Sequence, residues 1–352
     1  MNRFASRALA LAAGIGCVAA NAAAPSYVVI DTEQKAAAAV VAAQATAQGT
    51  TSYQSLTFQP VQSYANLAIA TAASVTTLSD LVANPAGIDV PCPTSGSMTA
   101  TASPAAPRTL SFEYHDCHAN VFEGPISLNG VGSVTLSTDS FDAPSLVEIR
   151  LGNLTQDFVQ TQVTSFPGWI NTKTNLRNIR VFGNIPVWPL QYVRPDTNTP
   201  YSYTIVGFDD RTDHQEFPGT GTPDYESGSR SVFEGVNYTG SLGYNAAGTI
   251  SDSDVTANGT LTHTRRDPPP YGTTFKRFQY DGFRLHDIFD FGGTFSQTLT
   301  IDGRVNYTFP VTFGTDGCLS GAYSFKTRSP LRGPYFQWKF TAGELSINGA
   351  VK

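Results

Sequence analysis

Residues 113–118, with the sequence EYHDCH, bring two carboxylates, two imidazoles and a thiol into six consecutive positions. All three types of group ligate metals, so the first question is whether they bind zinc. On a β-strand His115 and Cys117 point to one face while Asp116 and His118 point to the other, so the four cannot converge. The chain also lacks C-x-x-C and H-x-x-x-H pairs. We therefore predict no metal site here.

Cys117 has a simpler partner in Cys92. Between them lie two runs of alternating apolar and polar residues, joined by the turn sequence SPAAP. Such a hairpin brings its two ends together, and in an oxidising compartment the two thiols would be cross-linked. We predict a Cys92–Cys117 disulfide that stabilises the fold by roughly 3 kcal/mol on the loop-entropy model. Cys318 is then an odd thiol, either buried or paired between chains, and its pairing with Cys92 or Cys117 stays open.

Two further stretches carry carboxylates. Residues 208–217, FDDRTDHQEF, could hold Ca²⁺, but their spacing lacks the order of a calcium-binding loop, and we predict a solvated loop instead. Asp287 shares its predicted strand face with apolar residues: Phe283, Leu285, Phe289 and Phe291. A carboxyl among aromatic rings can have a raised pKa and act as an acid, whereas on a twisted or bulged strand it would meet a backbone donor or water.

The aromatic residues are densest between positions 166 and 192. Aromatic side chains line ligand cavities, but they also fill protein cores, and core packing is the alternative at these positions. The candidate ligand-binding residues are Trp169, Phe182, Trp188 and Tyr192. A ligand held by such a set would be a hydrophobic small molecule or a lipid.

No linear motif indicates an enzyme. The sequence contains no nucleophile elbow, no phosphate-binding loop and no dinucleotide-binding fingerprint, so we predict no catalytic residue and no cofactor. The alternative is a secreted hydrolase acting on envelope polymer or carbohydrate, with Asp213, Glu216 or Asp287 as its carboxylates.

The first 22 residues have the order of a secretory signal peptide. Basic residues come first, an apolar run follows, and Ala20-Asn21-Ala22 supplies a cleavage site. We therefore expect export to the periplasm or the exterior. Lipid anchoring at Cys17 is disfavoured because Gly14 stands where an aliphatic residue is needed. No later run approaches the roughly 20 apolar residues of a membrane-spanning helix.

The composition indicates a large hydrophobic core and limits the kinds of partner that the protein can bind. In a chain of 352 residues, 41% hydrophobic and 11% aromatic residues are enough for a large core. The net charge of −6, without clusters of Lys and Arg, argues against nucleic acid as a partner.

Residues 23–88 form a predicted helical lead. The first helix, in DTEQKAAAAVVAAQATAQG, should end at Gly49. The second should run from about Val61 to Asn84, because apolar residues recur at steps of three or four. That stripe consists of Val61, Tyr64, Ala68, Ala72, Val75, Leu78 and Val82. We expect it to pack on a sheet.

Residues 89–352 alternate apolar and polar positions between Gly, Asn, Asp and Pro turns. The pattern predicts a mainly β fold, with a large, hairpin-rich antiparallel sheet of a dozen or more strands that can curl into a half-barrel. One element recurs at 126–130, 299–303 and 345–349, where Asn-Gly or Asp-Gly should supply a type I′ turn or a bulge.

The Ala-rich lead, the paired cysteines, the LNG strands and the closing GELSING together resemble uncharacterised secreted β-rich proteins of proteobacteria. The resemblance implies the compartment and the architecture, and it implies no activity. We expect a non-enzymatic binding or envelope-associated module for an apolar or extended ligand. The alternatives are the hydrolase and a surface adhesion or structural protein.

Overall fold

The computed structural model describes residues 27, 30, 33–53, 58–121, 124–143, 145–160, 169–186, 198–216, 225–245, 250–267, 272–290, 296–308, 320–334, 340–348 and 350–351. The predicted signal peptide, Cys17 and Cys318 lie outside these residues. Within them, no helix is both long enough and apolar enough to cross a membrane.

In the described part of the chain three helices precede the strands: α1 (Glu33–Tyr53), α2 (Gln59–Ala73) and α3 (Leu78–Ala83). The predicted end of α1 at Gly49 is wrong, because the helix continues for another turn. A Cβ at Gly49 would lie 2.9 Å from the Cζ atom of Phe278. This glycine therefore allows the helix to approach an aromatic ring of the sheet, and it does not act as a stop signal.

The second predicted helix is two helices. The helix α2 ends at Ala73, and α3 begins after Thr77, whose hydroxyl accepts a hydrogen bond from the Asp80 N–H at 3.2 Å. Val75 lies between the two helices and is 57% exposed, although the stripe predicted it to be buried. Of the rest of the stripe, Val82 is half-buried, and five residues are buried as predicted: Val61, Tyr64, Ala68, Ala72 and Leu78.

Fourteen strands follow among the described residues, and they form one antiparallel sheet in sequence order. They are β1 (Ile88–Pro91), β2 (Ser95–Ser103), β3 (Ala106–Val121), β4 (Gly124–Leu136), β5 (Ser145–Gln160), β6 (Trp169–Pro186), β7 (Asn198–Glu216), β8 (Tyr225–Tyr244), β9 (Ile250–Arg266), β10 (Thr273–Asp290), β11 (Ser296–Thr308), β12 (Gly321–Pro334), β13 (Ala342–Ile347) and β14 (Ala350–Val351). Among the described strands, β1 pairs only with β2 and β14 only with β13, so pairing does not close the sheet. The predicted mainly β fold is confirmed.

Two of the repeated elements, at 126–130 and 299–303, lie inside strands opposite bulges of the neighbouring strands, and Gly349 of the third lies outside the described residues. Gly130 and Gly303 have φ angles of 117° and 97° in the interior of β4 and β11. The side chain before each glycine satisfies a backbone donor on a neighbouring strand, since Asn129 Oδ1 accepts from the Asp116 N–H of β3 at 2.8 Å and Asp302 Oδ1 from the Thr327 N–H of β12 at 3.0 Å. The bulges therefore leave these backbone N–H groups paired.

These bulges belong to a line that crosses the sheet. The register shifts within β3, β6, β7, β8, β10 and β11, each time near the middle of the strand. Bulges bend strands and increase their twist, so this bulge line divides the sheet into two ends. We call them the Asp287 end and the His263 end, after one residue on each side.

The helices pack on one face of the sheet, called here the inner face, and share a single hydrophobic core with it. The Tyr114 hydroxyl on β3 donates to the Tyr64 carbonyl of α2 at 2.8 Å, and the Tyr64 hydroxyl donates to Gln156 Oε1 on β5. The Phe58 ring stacks on Tyr203 of β7, with centroids 4.1 Å apart. The helical segment thus packs on the sheet, as predicted.

Candidate ligand-binding site on the inner sheet face

The EYHDCH segment holds the predicted disulfide. Cys92 and Cys117 are bonded at 2.00 Å, with their Cα atoms 5.5 Å apart. His118 Nε2 lies 3.2 Å from Asp116 Oδ1, and His115 Nε2 lies 3.2 Å from Thr99 Oγ1. In the part of the chain that the structure describes, no three His, Cys, Asp or Glu side chains are grouped to hold a metal ion.

Of the predicted aromatic band, the described residues Trp169 and Phe182 lie far apart on one strand. Trp169 is the first residue of β6, and Phe182 lies near the other end of that strand, roughly 40 Å away at 3.3 Å per residue. Phe182 is next to the buried Val181 and so points to the outer face, where the Arg180 guanidinium lies 4.5 Å from its ring centroid. Trp188 and Tyr192 lie outside the described residues. Trp169 and Phe182 therefore do not line one site.

The structure instead brings together four tyrosines on the inner face, Tyr201, Tyr203, Tyr238 and Tyr280, which we call the tyrosine cluster. The Tyr203 ring centroid lies 5.6 Å from that of Tyr201 and 5.8 Å from that of Tyr238. Burial, and then the neighbouring tyrosines, raise the pKa of Tyr238 well above its ordinary value. Its buried hydroxyl has no hydrogen-bond partner among the described residues.

The tyrosine cluster reaches toward β10 through Tyr201. The Tyr201 hydroxyl donates to the Asp254 carbonyl on β9 at 3.2 Å, and to do so the side chain crosses β8 at Gly240. A Cβ at Gly240 would lie 1.9 Å from that carbonyl oxygen and 3.0 Å from the Tyr201 hydroxyl, so a glycine leaves room for this hydrogen bond. The residue before Asp254 on β9 is Ser253, and its cross-strand partner on β10 is Asp287.

Asp287 is a buried carboxyl on this face, 6% exposed. Its Oδ2 accepts a 2.6 Å hydrogen bond from Gln297 Nε2 on β11, while its Oδ1 has no hydrogen-bond partner among the described residues. Its cross-strand neighbours are Ser253 and Leu299. Burial raises the pKa of Asp287 to about 7. Of the apolar neighbours predicted on this face, Phe283 and Leu285 are buried and Phe289 is half-buried, whereas Phe291 lies outside the described residues.

The other candidate carboxylates are far from Asp287. Residues 208–216 belong to β7, so the predicted loop is wrong: they pair with both β6 and β8, and the ladder continues to Glu216. Thr212, the neighbour of Asp213, shares a cross-strand row with Thr273 of β10. Asp287 is fourteen residues beyond Thr273, roughly 45 Å along the strand. The carboxyl pair of a glycosidase spans at most about 10 Å, so Asp213 and Asp287 cannot form one.

A serine–histidine pair, which sequence reasoning missed, lies at the His263 end. Ser231 Oγ is 3.1 Å from His263 Nδ1. In the strand register Asp209 is opposite Ser231, whereas Lys276 is opposite His263. Burial, followed by the charges of Lys276 and Arg265, lowers the pKa of His263 to about 4. A histidine with this pKa is a weak general base at neutral pH.

These residues had no linear signal. Ser231 and His263 come from β8 and β9, and only the strand register pairs them. The tyrosines were visible in the sequence as ordinary strand residues, and the one available signal was the i, i+2 spacing of Tyr201 and Tyr203. Comparison with protein-family models, with curated proteins and with solved structures finds no match.

Proposed function

We propose that this protein is an exported, non-enzymatic binding module that takes an apolar or extended ligand on its inner sheet face at the Asp287 end. The observation that carries the proposal is the unpartnered Oδ1 of Asp287, a buried acceptor in an apolar setting. Buried polar atoms are nearly always hydrogen-bonded, and an exception in a native fold needs a reason. A bound ligand supplies that reason.

The surroundings of Asp287 favour an apolar ligand. Leu285 and Leu299 are buried beside it, and Leu242 on β8, which pairs with Ser253, is half-buried. The tyrosine cluster adjoins these residues through Tyr201 and adds aromatic surface. Ligand sites are commonly built in this way, from apolar and aromatic walls with few polar groups.

The geometry supports the hydrolase alternative less well. Asp213 on β7 is roughly 45 Å along the strands from Asp287, and Glu216 is farther still. Ser231 has a histidine partner, but the cross-strand neighbour of that histidine is a lysine, whereas a catalytic triad places a carboxylate there.

Export rests on the signal-peptide pattern of residues 1–22 and on the resemblance to secreted proteins of proteobacteria. The Cys92–Cys117 disulfide supports it, since structural disulfides persist in oxidising compartments.

Calorimetric titration of the purified protein with a panel of single-chain lipids, each below its micelle concentration, tests the proposal. We expect saturable binding that Ser253→Phe abolishes, because the new ring fills the space opposite Asp287. Thr256→Phe is the matched control, because it makes a similar change on the same strand, and Thr256 alternates with the buried Val255 and Ala257 and so faces outward. Absence of saturable binding, or equal loss in both variants, would contradict the proposal.

A further inference from the structure

We infer that Asp287 receives the hydrogen-bond-donating head group of a single-chain amphiphile, a hydroxyl or an ammonium, with the alkyl chain lying on the neighbouring apolar side chains. This inference rests on the proposed function and specifies the ligand class. The chemistry that recognises the ligand is one buried acceptor next to apolar and aromatic surface.

The hydrogen-bond inventory of Asp287 is incomplete in both protonation states. If the carboxyl is ionised, Oδ2 accepts from Gln297 Nε2 and Oδ1 accepts from no described group. If it is protonated at Oδ1, that oxygen still has no hydrogen-bond partner among the described residues. A ligand hydroxyl can donate to the ionised form and accept from the protonated form, and an ammonium can donate to the ionised form.

The charges around the site exclude an anionic head group. Among the described residues no Lys, Arg or His forms an ion pair with Asp287. His286, the adjacent residue, pairs with Asp252 at 3.0 Å and so is directed away from the inner face. On β9 the nearest charged residues, Asp252 and Asp254, lie on the outer face, where they pair with His286 and Arg284, so the charge that a head group meets on the inner face is that of Asp287 itself. A carboxylate or phosphate head group would therefore meet like charge without a cation to compensate it.

The apolar part of the ligand has a surface on which to lie. Leu285 and Leu299 flank Asp287, and Leu242 lies one strand further, in the row of Ser253. Solvent reaches part of the site, because Leu242, Ser253 and Phe289 are only half-buried. A chain entering at the Asp287 end would bury these side chains further, which is favourable by about 25 cal/mol per Å² of apolar area.

Three probes with similar chains and different heads test the inference in calorimetric titrations at pH 8: monolauroylglycerol, dodecylammonium and laurate. We expect the wild-type protein to bind the first two and to bind laurate at least about tenfold more weakly. Asp287→Asn should weaken dodecylammonium binding by about tenfold or more, the equivalent of one hydrogen bond to a charged group. Asp252→Asn removes the same charge from the outer face and should leave the affinities unchanged.

If Asp287→Asn does not fold, an infrared measurement on the wild-type protein tests the inference instead. Because burial raises the pKa of Asp287 to about 7, most of this carboxyl is protonated near pH 6, and dodecylammonium should remove its carbonyl band, whereas laurate should leave it. Equal binding of all three probes to wild type and Asp287→Asn, or an unchanged band, would overturn the inference and leave the proposed function standing. If no probe binds saturably to wild type, the proposed function fails as well.

Discussion

Gln297 donates a 2.6 Å hydrogen bond to Asp287 across the pair of strands β11 and β10, and both side chains are buried on the inner face. The contact fixes one carboxylate oxygen and turns the other away from the amide. One amide donor does not offset the burial, so the pKa of Asp287 stays raised, at about 7. The pair is therefore both the centre of the proposed site and a source of pH dependence.

Asp287 should make the fold less stable as the pH rises. Its pKa is raised from 3.8 to about 7 in the folded state, so the stability present below about pH 4 is lost as the pH rises to 7. Asp287→Asn cannot ionise, and we expect it to raise the free energy of unfolding at pH 8 by up to about 4 kcal/mol relative to wild type. Urea denaturation at pH 4 and pH 8 measures this, and a variant that gains nothing at pH 8 would contradict it.

His263 should have the opposite effect. Its pKa is lowered from 6.5 to about 4, so the stability present above pH 6.5 is lost as the pH falls to about 4. In wild type this trend offsets that of Asp287. Asp287→Asn should therefore show stability rising between pH 4 and 6.5, and His263→Gln should show stability falling over the same range, in parallel denaturation series. Identical slopes in the two variants would disprove the assignment.

The disulfide should contribute roughly 3 kcal/mol through its effect on the unfolded chain. We expect the double variant Cys92→Ala, Cys117→Ala to lose about that much free energy of unfolding, measured by urea denaturation. Wild type treated with a reductant should match the double variant. A reductant effect of similar size on the double variant itself would assign the stabilisation to other thiols.

The gap between α2 and α3 provides a matched test of helix packing. Leu78 is 2% exposed and Val75 is 57% exposed, only three residues apart. Leu78→Asp buries an unpaired charge and should cost at least about 3 kcal/mol, whereas Val75→Asp should change stability by less than about 0.5 kcal/mol. Thermal melts of both variants decide this. Equal melting temperatures would mean that α3 does not pack on the sheet.

The bulge line should depend on its glycines. Gly303 has a φ of 97°, and a Cβ there would lie 2.0 Å from the Gly282 carbonyl oxygen. Gly303→Ala should therefore cost more than about 2 kcal/mol. Gly272 has a φ of 67° but no atom within 4 Å of its Cβ position, so Gly272→Ala should cost only about 1 kcal/mol. The two denaturation midpoints compare the cost of the clash with that of backbone strain alone.

Several features of the fold could be predicted from residues that lie close together in the sequence. Strict alternation of apolar and polar residues predicted the antiparallel sheet, because side chains of a strand point alternately to its two faces. Proximity in sequence, with a turn between, predicted the Cys92–Cys117 disulfide. The apolar stripe from Val61 to Ala72 predicted the packed helix α2. Each of these depends on residues close together in the chain.

The features that matter for the site were decided by tertiary structure. Asp287 was visible as a carboxyl among aromatic residues, but its partner Gln297 and its free oxygen follow from the register between β10 and β11. Ser231 meets His263, and Tyr203 meets Tyr238, for the same reason. The bulges shift that register in mid-strand, and a shift of one residue moves a side chain to the other face. Spacing along the sequence therefore cannot tell which distant residues will share the inner face.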